Sequence, residues 1–163
     1  MPVESPRKTW KIELESEEAT ERFGEAIAKV AVANQVIGLV GPLGAGKTRL
    51  VRALASALGV DSSAISSPTF VLIQEYQGRL SIYHFDAYRL KSLDEFEALG
   101  VADYWDTGGV CLVEWADLVL ESLPASSWFI TLKPTGAESR EVTFHGRGIE
   151  RLAAHLGEAA IEV

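Results

Sequence analysis

Residues 36–48 read Val36-Ile37-Gly38-Leu39-Val40-Gly41-Pro42-Leu43-Gly44-Ala45-Gly46-Lys47-Thr48. The first five residues form an uninterrupted apolar run, which is typical of a strand buried on both faces of a parallel sheet. The last eight match the pattern G-x-x-x-x-G-K-[ST] at every fixed position. Apolar residues then recur at helical spacing, at Leu50, Val51, Leu54 and Leu58. The sequence therefore predicts a strand, a glycine-rich loop and a helix in direct succession.

Each fixed residue type in this loop has a physical reason to be there if the loop binds phosphate. Glycines let the backbone N–H groups turn inward around phosphate oxygens, because no Cβ stands in the way. The N-terminus of the following helix adds about half a positive charge. Lys47 is predicted to contact the β- and γ-phosphates and Thr48 to bind Mg²⁺ through its hydroxyl. The residues predicted to bind a nucleotide here are Gly41, Leu43, Gly44, Ala45, Gly46, Lys47, Thr48 and Arg49.

Predicted strands and helices alternate along the rest of the chain, and no linker-like stretch separates them. Strands are predicted, from alternating or continuous apolar residues, over 10–15, 69–76, 80–86, 110–113, 128–133 and 141–145. Helices are predicted after Ser16, after Ser92 (with Glu95 in a capping box) and over 149–156. These elements predict one α/β domain over residues 1–163, of the P-loop NTPase type. Its mixed, mostly parallel sheet would have flanking helices and antiparallel hairpins.

The charge of the chain restricts its partners. The 163 residues include 15 basic and 23 acidic side chains, which give a formal net charge of −8. Because nucleic-acid binders usually carry a basic face, we expect no tight direct binding of tRNA or DNA. No apolar segment approaches the roughly 20 residues of a membrane helix. The single cysteine, Cys111, cannot form an internal disulfide, which fits a reducing compartment. Together these two features predict a cytoplasmic protein without membrane contact.

Two carboxylates at predicted strand ends are candidates for the acidic partner of Mg²⁺ that P-loop enzymes need. Glu114 ends the apolar run 110–113, in the position where aspartate is commoner, and Asp86 ends the strand before Tyr88. We favour Glu114 as the metal ligand because its strand is of the more fully buried type. Asp86 would then orient the attacking water or hydrogen-bond to the ligands of the metal. Alternatively, it only caps the turn that follows its strand.

Other residues allow two interpretations from the pattern. Thr69, after Pro68, either senses the γ-phosphate and metal in a switch loop or simply begins a strand. Trp115, beside Glu114, is either part of a partner surface or an ordinary packing residue. The three histidines lack the spacing of metal ligands, and Cys111 has the surroundings of an inert core thiol.

Other nucleotide enzymes fit the sequence less well. A GTPase is disfavoured because Asn34 is the only asparagine and no N-K-x-D element is possible. The L-S-G-G-Q signature of transporter ATPases and an arginine-rich kinase lid are both absent from the sequence.

The charges expected at the loop nearly neutralise a bound nucleotide but leave no further cation for the transition state. ATP carries a charge of about −4, and Mg²⁺, Lys47 and the helix dipole supply roughly +3.5. We therefore expect slow hydrolysis by the isolated protein, until a partner supplies positive charge or repositions Arg89.

Five motifs together resemble those of the bacterial TsaE (YjeE-type) proteins, over a region from about Leu14 to Val142. They are Gly41-x-Leu43-Gly44-Ala45-Gly46-Lys47-Thr48, Ser67-Pro68-Thr69-Phe70, His84-x-Asp86-x-Tyr88-Arg89-Leu90, Glu95-x-Glu97-x-x-Gly100 and Glu114-Trp115. The resemblance implies a P-loop ATPase that uses ATP and Mg²⁺. Such proteins work with TsaB and TsaD to form N6-threonylcarbamoyladenosine at position 37 of tRNAs reading ANN codons, and tRNA would be reached only through these partners.

The resemblance also implies roles for single residues. Lys47, Thr69, Asp86 and Glu114 would be catalytic, Thr48 and Glu114 would hold Mg²⁺, and Trp115 would lie near the nucleotide. Ser16, Glu17 and Arg140 would approach the adenosine end. Pro42 and Arg49 depart from the family pattern, and Pro42 removes one backbone N–H from the loop. Two other functions are a non-hydrolysing, ATP-dependent binding module that stabilises a partner complex and a small-molecule phosphotransferase.

Overall fold

Eight strands and four α-helices make up the regular structure of residues 8–65 and 73–163, which the computed structural model describes. The strands are β1 (Thr9–Leu14), β2 (Val36–Val40), β3 (Ile73–Tyr76), β4 (Ile82–Asp86), β5 (Val110–Glu114), β6 (Trp128–Pro134), β7 (Arg140–Gly146) and β8 (Ile161–Glu162). The helices are α1 (Glu17–Val30), α2 (Lys47–Ala57), α3 (Leu93–Ala98) and α4 (Glu150–Leu156). The predicted strand–loop–helix unit is therefore confirmed as β2 followed by α2.

The strands form one mixed sheet in the order β3-β4-β5-β2-β6-β7-β1-β8. The α/β class and the mixed sheet are confirmed, and so are the two predicted hairpins, β3–β4 in its described part and β6–β7. The expected majority of parallel pairings is wrong for the described strands. Only three of their seven pairings are parallel, those that join β4, β5, β2 and β6. The excess of antiparallel pairings arises because β1 pairs with β7, and the two-residue β8, absent from the sequence prediction, pairs with β1.

The parallel strands β2, β4 and β5 have their carboxyl ends at the same edge of the sheet. The glycine-rich loop follows β2, and β5 and β4 end nearby with Glu114 and Asp86. These two carboxylates are paired in register, Asp86 opposite Glu114. In an open α/β sheet, ligands bind outside the carboxyl ends of the parallel strands. The topology thus places the phosphate loop and both acids at the edge where a ligand site is expected.

Helices cover both faces of the sheet and create two hydrophobic clusters. The larger cluster contains apolar side chains from α1, α2 and α4, and the smaller one contains Phe96 of α3. Along β2, Ile37 and Leu39 belong to the larger cluster and Val36 to the smaller, which confirms a strand buried on both faces. Burial in the smaller cluster raises the pKa of the Cys111 thiol to about 12, so this thiol is unreactive at neutral pH.

The helix starts agree with the predicted caps. The Ser16 hydroxyl accepts a hydrogen bond from the Ala19 N–H at 3.1 Å, and the Ser92 hydroxyl accepts one from Glu95 N–H at 3.2 Å. A Cβ on Gly24 of α1 would lie 2.8 Å from the Cβ of Ala53, so this glycine permits the close packing of α1 on α2. No helix in the described ranges is long and apolar enough to cross a membrane. These residues form a single mixed α/β domain.

Candidate functional site

A cleft of about 380 Å³ opens at the carboxyl ends of β2, β4 and β5. It is lined by Glu17, Leu43, Gly44, Ala45, Gly46, Lys47, Thr48, Arg49, Asp86, Tyr88, Glu114, Trp115, Ala137 and Arg140. A larger groove of about 980 Å³ lies between α1 and α2 and shares only Thr48 and Arg49 with the cleft. We take the smaller cleft as the candidate site because it alone combines the phosphate loop with both strand-end carboxylates.

Glycines give the loop a backbone conformation that other residues rarely adopt. Gly44 and Gly46 have φ values of +78° and +100°, in the region that L-residues avoid. Nothing lies within 4 Å of the position that a Cβ on Gly44 would take, whereas a Cβ on Gly46 would overlap Nη1 of Arg140. That guanidinium is buried and donates a hydrogen bond to the Ala45 carbonyl at 2.8 Å. Gly46 therefore serves two purposes, the left-handed backbone and the approach of Arg140.

We expect Gly46→Ala to destabilise the protein more than Gly44→Ala. Both changes incur the left-handed strain of about 1–2 kcal/mol, but only Gly46→Ala also displaces a buried, hydrogen-bonded guanidinium. The free energy of unfolding from urea titrations measures the difference, with Gly44→Ala as the matched control. Equal losses in the two variants would show that Arg140 moves aside without cost.

Lys47 is folded back onto its own loop. Its side chain is buried, and Nζ donates hydrogen bonds to the carbonyls of Gly41 and, at 2.9 Å, Pro42. The ammonium also lies 4.1 Å from the centre of the Trp115 ring, a cation–π contact. Burial lowers the pKa of Lys47, and the nearby carboxylates, Glu114 first, oppose that shift. A phosphate group entering the cleft would replace two carbonyl acceptors with charged oxygens, which bind an ammonium more strongly.

Trp115 lies in the cleft rather than on a separate surface. It has a φ of +60°, which is unusual for a bulky residue and is characteristic of functional sites. Its ring packs on Tyr88, with ring centroids 4.7 Å apart. The same indole ring also contacts the Lys47 ammonium. Neither of the two interpretations of Trp115 from the sequence included this contact with Lys47.

Thr48 and the two strand-end carboxylates converge in the cleft. The Thr48 hydroxyl donates to Oε1 of Glu114 at 3.4 Å, and the Glu114 side chain is buried. Asp86 is half-buried and accepts a hydrogen bond from the Tyr88 N–H at 2.9 Å, so it caps the turn and also lines the cleft. Desolvation raises the pKa of Asp86, and the nearby Glu114 adds to the rise, while the Tyr88 N–H, His84 and Lys47 oppose it. A carboxylate with a raised pKa accepts a proton more readily than an exposed one.

His84 belongs to one of the motifs that resemble TsaE proteins, but the sequence analysis assigned it no role at the site. Its Nε2 lies 2.6 Å from Oε2 of Glu114, and both side chains are buried. Histidine spacing carried no signal, because the partner is a glutamate on another strand. A usable signal was the strand period of two, which places His84 on the same face as Asp86, combined with the pairing of β4 and β5.

The chain was compared with known proteins. The family model "Threonylcarbamoyl adenosine biosynthesis protein TsaE" matches residues 14–142. The chain belongs to the TsaE family. It is 42% identical over 132 residues to the tRNA threonylcarbamoyladenosine biosynthesis protein TsaE of Bacillus subtilis, covering 80% of this chain and 82% of that protein. It is 39% identical over 128 residues to the TsaE protein of Treponema pallidum, covering 78% and 94%.

A solved structure supports the same assignment. The crystal structure of Bacillus subtilis YdiB superposes with a TM-score of 0.74 at 36% identity, covering 94% of this chain and 99% of that one. The resemblance seen in the sequence motifs is thereby confirmed. As a TsaE-family protein, the chain has a role in tRNA threonylcarbamoyladenosine biosynthesis.

The remaining predicted site residues are placed unequally. Glu17 lines the cleft and pairs with Arg49 at 3.2 Å. Ser16 and Gly41 are not among the lining residues, and the Ser16 hydroxyl is the cap of α1. Arg140 lines the cleft, with its guanidinium against the loop backbone. Thr69 lies outside the described residues.

The donor set of this TsaE-family cleft suits Mg²⁺ bound together with a triphosphate. No group of three or more His, Cys, Asp or Glu side chains within 8–65 and 73–163 is arranged to hold a metal ion. Mg²⁺ usually takes one or two carboxylates, several waters and substrate phosphates rather than an all-protein cage. The neighbouring oxygens of Thr48 and Glu114 would provide that smaller share if Mg²⁺ is bound.

Proposed function

We propose that this TsaE-family protein binds ATP with Mg²⁺ in the cleft and hydrolyses the ATP. This hydrolysis would serve the formation of N6-threonylcarbamoyladenosine at position 37 of tRNAs reading ANN codons, together with TsaB and TsaD in the cytoplasm. The observation that supports this function best is the convergence of Lys47, Thr48, Asp86 and Glu114 in one cleft. A glycine-rich loop alone would support only phosphate binding.

Each of these side chains has a distinct part in the proposed reaction. Lys47 would leave the carbonyls of its loop and contact the β- and γ-phosphates. Thr48 and Glu114 would hold Mg²⁺, which when bound supplies charge neutralisation at the phosphate oxygens. Asp86, whose pKa is raised by burial, would orient the attacking water and accept its proton. Trp115 would close one side of the cleft beside Lys47.

The charges around the cleft support slow hydrolysis by the protein alone. Arg49 already pairs with Glu17 and Glu21, each at 3.2 Å. Arg140 donates to two backbone carbonyls, those of Ala45 and Glu138. Both arginines therefore hold the protein together rather than project freely at a γ-phosphate. A cation supplied by a partner protein would stabilise the transition state in trans.

The deciding experiment measures ATP hydrolysis by the purified protein with and without the TsaB–TsaD pair, with tRNA modification assayed in the same samples. We expect little phosphate release by the protein alone and an increase of at least tenfold with both partners. ATP-dependent complex formation without phosphate release would favour the non-hydrolysing binding module. A phosphorylated small molecule in place of free phosphate would favour the phosphotransferase.

A further inference from the structure

We propose that His84 is the positioning residue for Glu114, and that it sets how much Mg²⁺ the protein needs to bind ATP. The proposal rests on the proposed function, since it takes Glu114 as a ligand of Mg²⁺. His84 does not line the cleft, so it would act through Glu114 rather than on the nucleotide.

The two oxygens of Glu114 have different partners. Oε1 faces the Thr48 hydroxyl at the cleft, 3.4 Å away. Oε2 is 2.6 Å from Nε2 of His84, and the two side chains are 1% and 6% exposed. Because water cannot compete at such burial, the histidine contact orients the carboxylate and leaves Oε1 directed at the place where the metal would lie.

A glutamate needs this restraint more than an aspartate in the same position would. Its side chain has one more rotatable bond, so its carboxylate can occupy more positions unless a neighbour holds it. His84 is itself held in place by its strand, because β4 pairs in parallel with β5, the strand that carries Glu114. The geometry therefore fixes both ends of the contact on neighbouring strands.

The second nitrogen of His84 argues against a purely packing role. Nδ1 is buried and has no hydrogen-bond partner among the described residues. A carboxylate that serves as a metal ligand can only accept a hydrogen bond, so Nε2 of His84 is the donor in this contact and Nδ1 is left without a partner. An apolar side chain would fill this position without that cost. What the histidine adds is the donor at Nε2.

Two amide substitutions separate the donor from the histidine ring. In His84→Gln, the amide nitrogen can reach the position of Nε2, whereas in His84→Asn the amide falls short of it. ATP binding is measured by calorimetry over a range of Mg²⁺ concentrations and also without Mg²⁺. We expect His84→Asn to need about tenfold more Mg²⁺ for half-maximal ATP binding, and His84→Gln to stay within about threefold of the unmodified protein. ATP affinity without Mg²⁺ should be the same in all three proteins.

The outcomes separate this inference from the proposed function. If the unmodified protein binds ATP and all three proteins need the same Mg²⁺ concentration, the positioning role of His84 is refuted and the ATPase proposal stands. If the unmodified protein binds no ATP at any Mg²⁺ concentration, the proposed function itself fails. Thermal melting checks folding, and His84→Leu, which also lacks the donor, replaces His84→Asn if that variant does not fold. An unchanged Mg²⁺ requirement in His84→Leu likewise refutes the role.

Discussion

Replacing Lys47 with alanine is expected to lower the affinity for ATP with Mg²⁺ by about 100-fold or more. The change removes a buried ammonium that stands at the phosphate loop and faces Glu114 and Trp115. The four negative charges of ATP would then meet only the loop N–H groups, the helix dipole and the metal. Calorimetric titration of ATP in the presence of Mg²⁺ measures the loss.

Two further variants complete the test, one as a control at another lysine and one that keeps the charge at position 47. Lys91→Ala removes an exposed lysine outside the cleft and should leave ATP affinity within about twofold. Lys47→Arg keeps the charge but introduces a planar fork in place of a point charge, so we expect it to bind ATP poorly as well. ATP affinity in Lys47→Ala that matches the Lys91→Ala control would refute nucleotide binding by this loop.

Replacing Glu114 with glutamine is expected to reduce Mg²⁺-dependent ATP hydrolysis by about 100-fold or more. Glutamine keeps the size of the side chain and a hydrogen-bonding group near His84, but it removes the negative charge that would hold Mg²⁺. The gain in ATP affinity on adding Mg²⁺ should disappear with it. Phosphate release and calorimetry, each with and without Mg²⁺, measure the two effects.

Asp86→Asn is the matched variant for Glu114→Gln, because the two carboxylates are paired in register at the ends of β4 and β5. Asparagine can still accept the hydrogen bond from the Tyr88 N–H. We therefore expect Asp86→Asn to keep the binding of ATP with Mg²⁺ within a few-fold and to lose about 100-fold or more of the hydrolysis rate. If the binding loss appears in Asp86→Asn and not in Glu114→Gln, the assignment of the metal ligand is reversed.

The residues of the candidate site were predictable to different degrees. The eight-residue loop has a local pattern in which each fixed residue type serves phosphate binding, and all of its predicted ligands except Gly41 line the cleft. Glu114 and Asp86 were predictable as strand-end acids, because the period of apolar residues shows where a strand stops. The sequence did not predict that these two acids lie side by side, because that depends on β4 and β5 being neighbours in the sheet.

The strand–loop–helix unit, the caps at Ser16 and Ser92 and the two hairpins are specified by residues that are close together in the sequence. Local periodicity, glycine and capping side chains specify such elements, because their interactions join near neighbours in the chain. The contacts that complete the site span longer separations: 30 residues from His84 to Glu114, 66 from Thr48 to Glu114 and 95 from Ala45 to Arg140. No local pattern encodes these pairs. They arise because the order of strands brings distant side chains to one edge of the sheet, where burial holds them together.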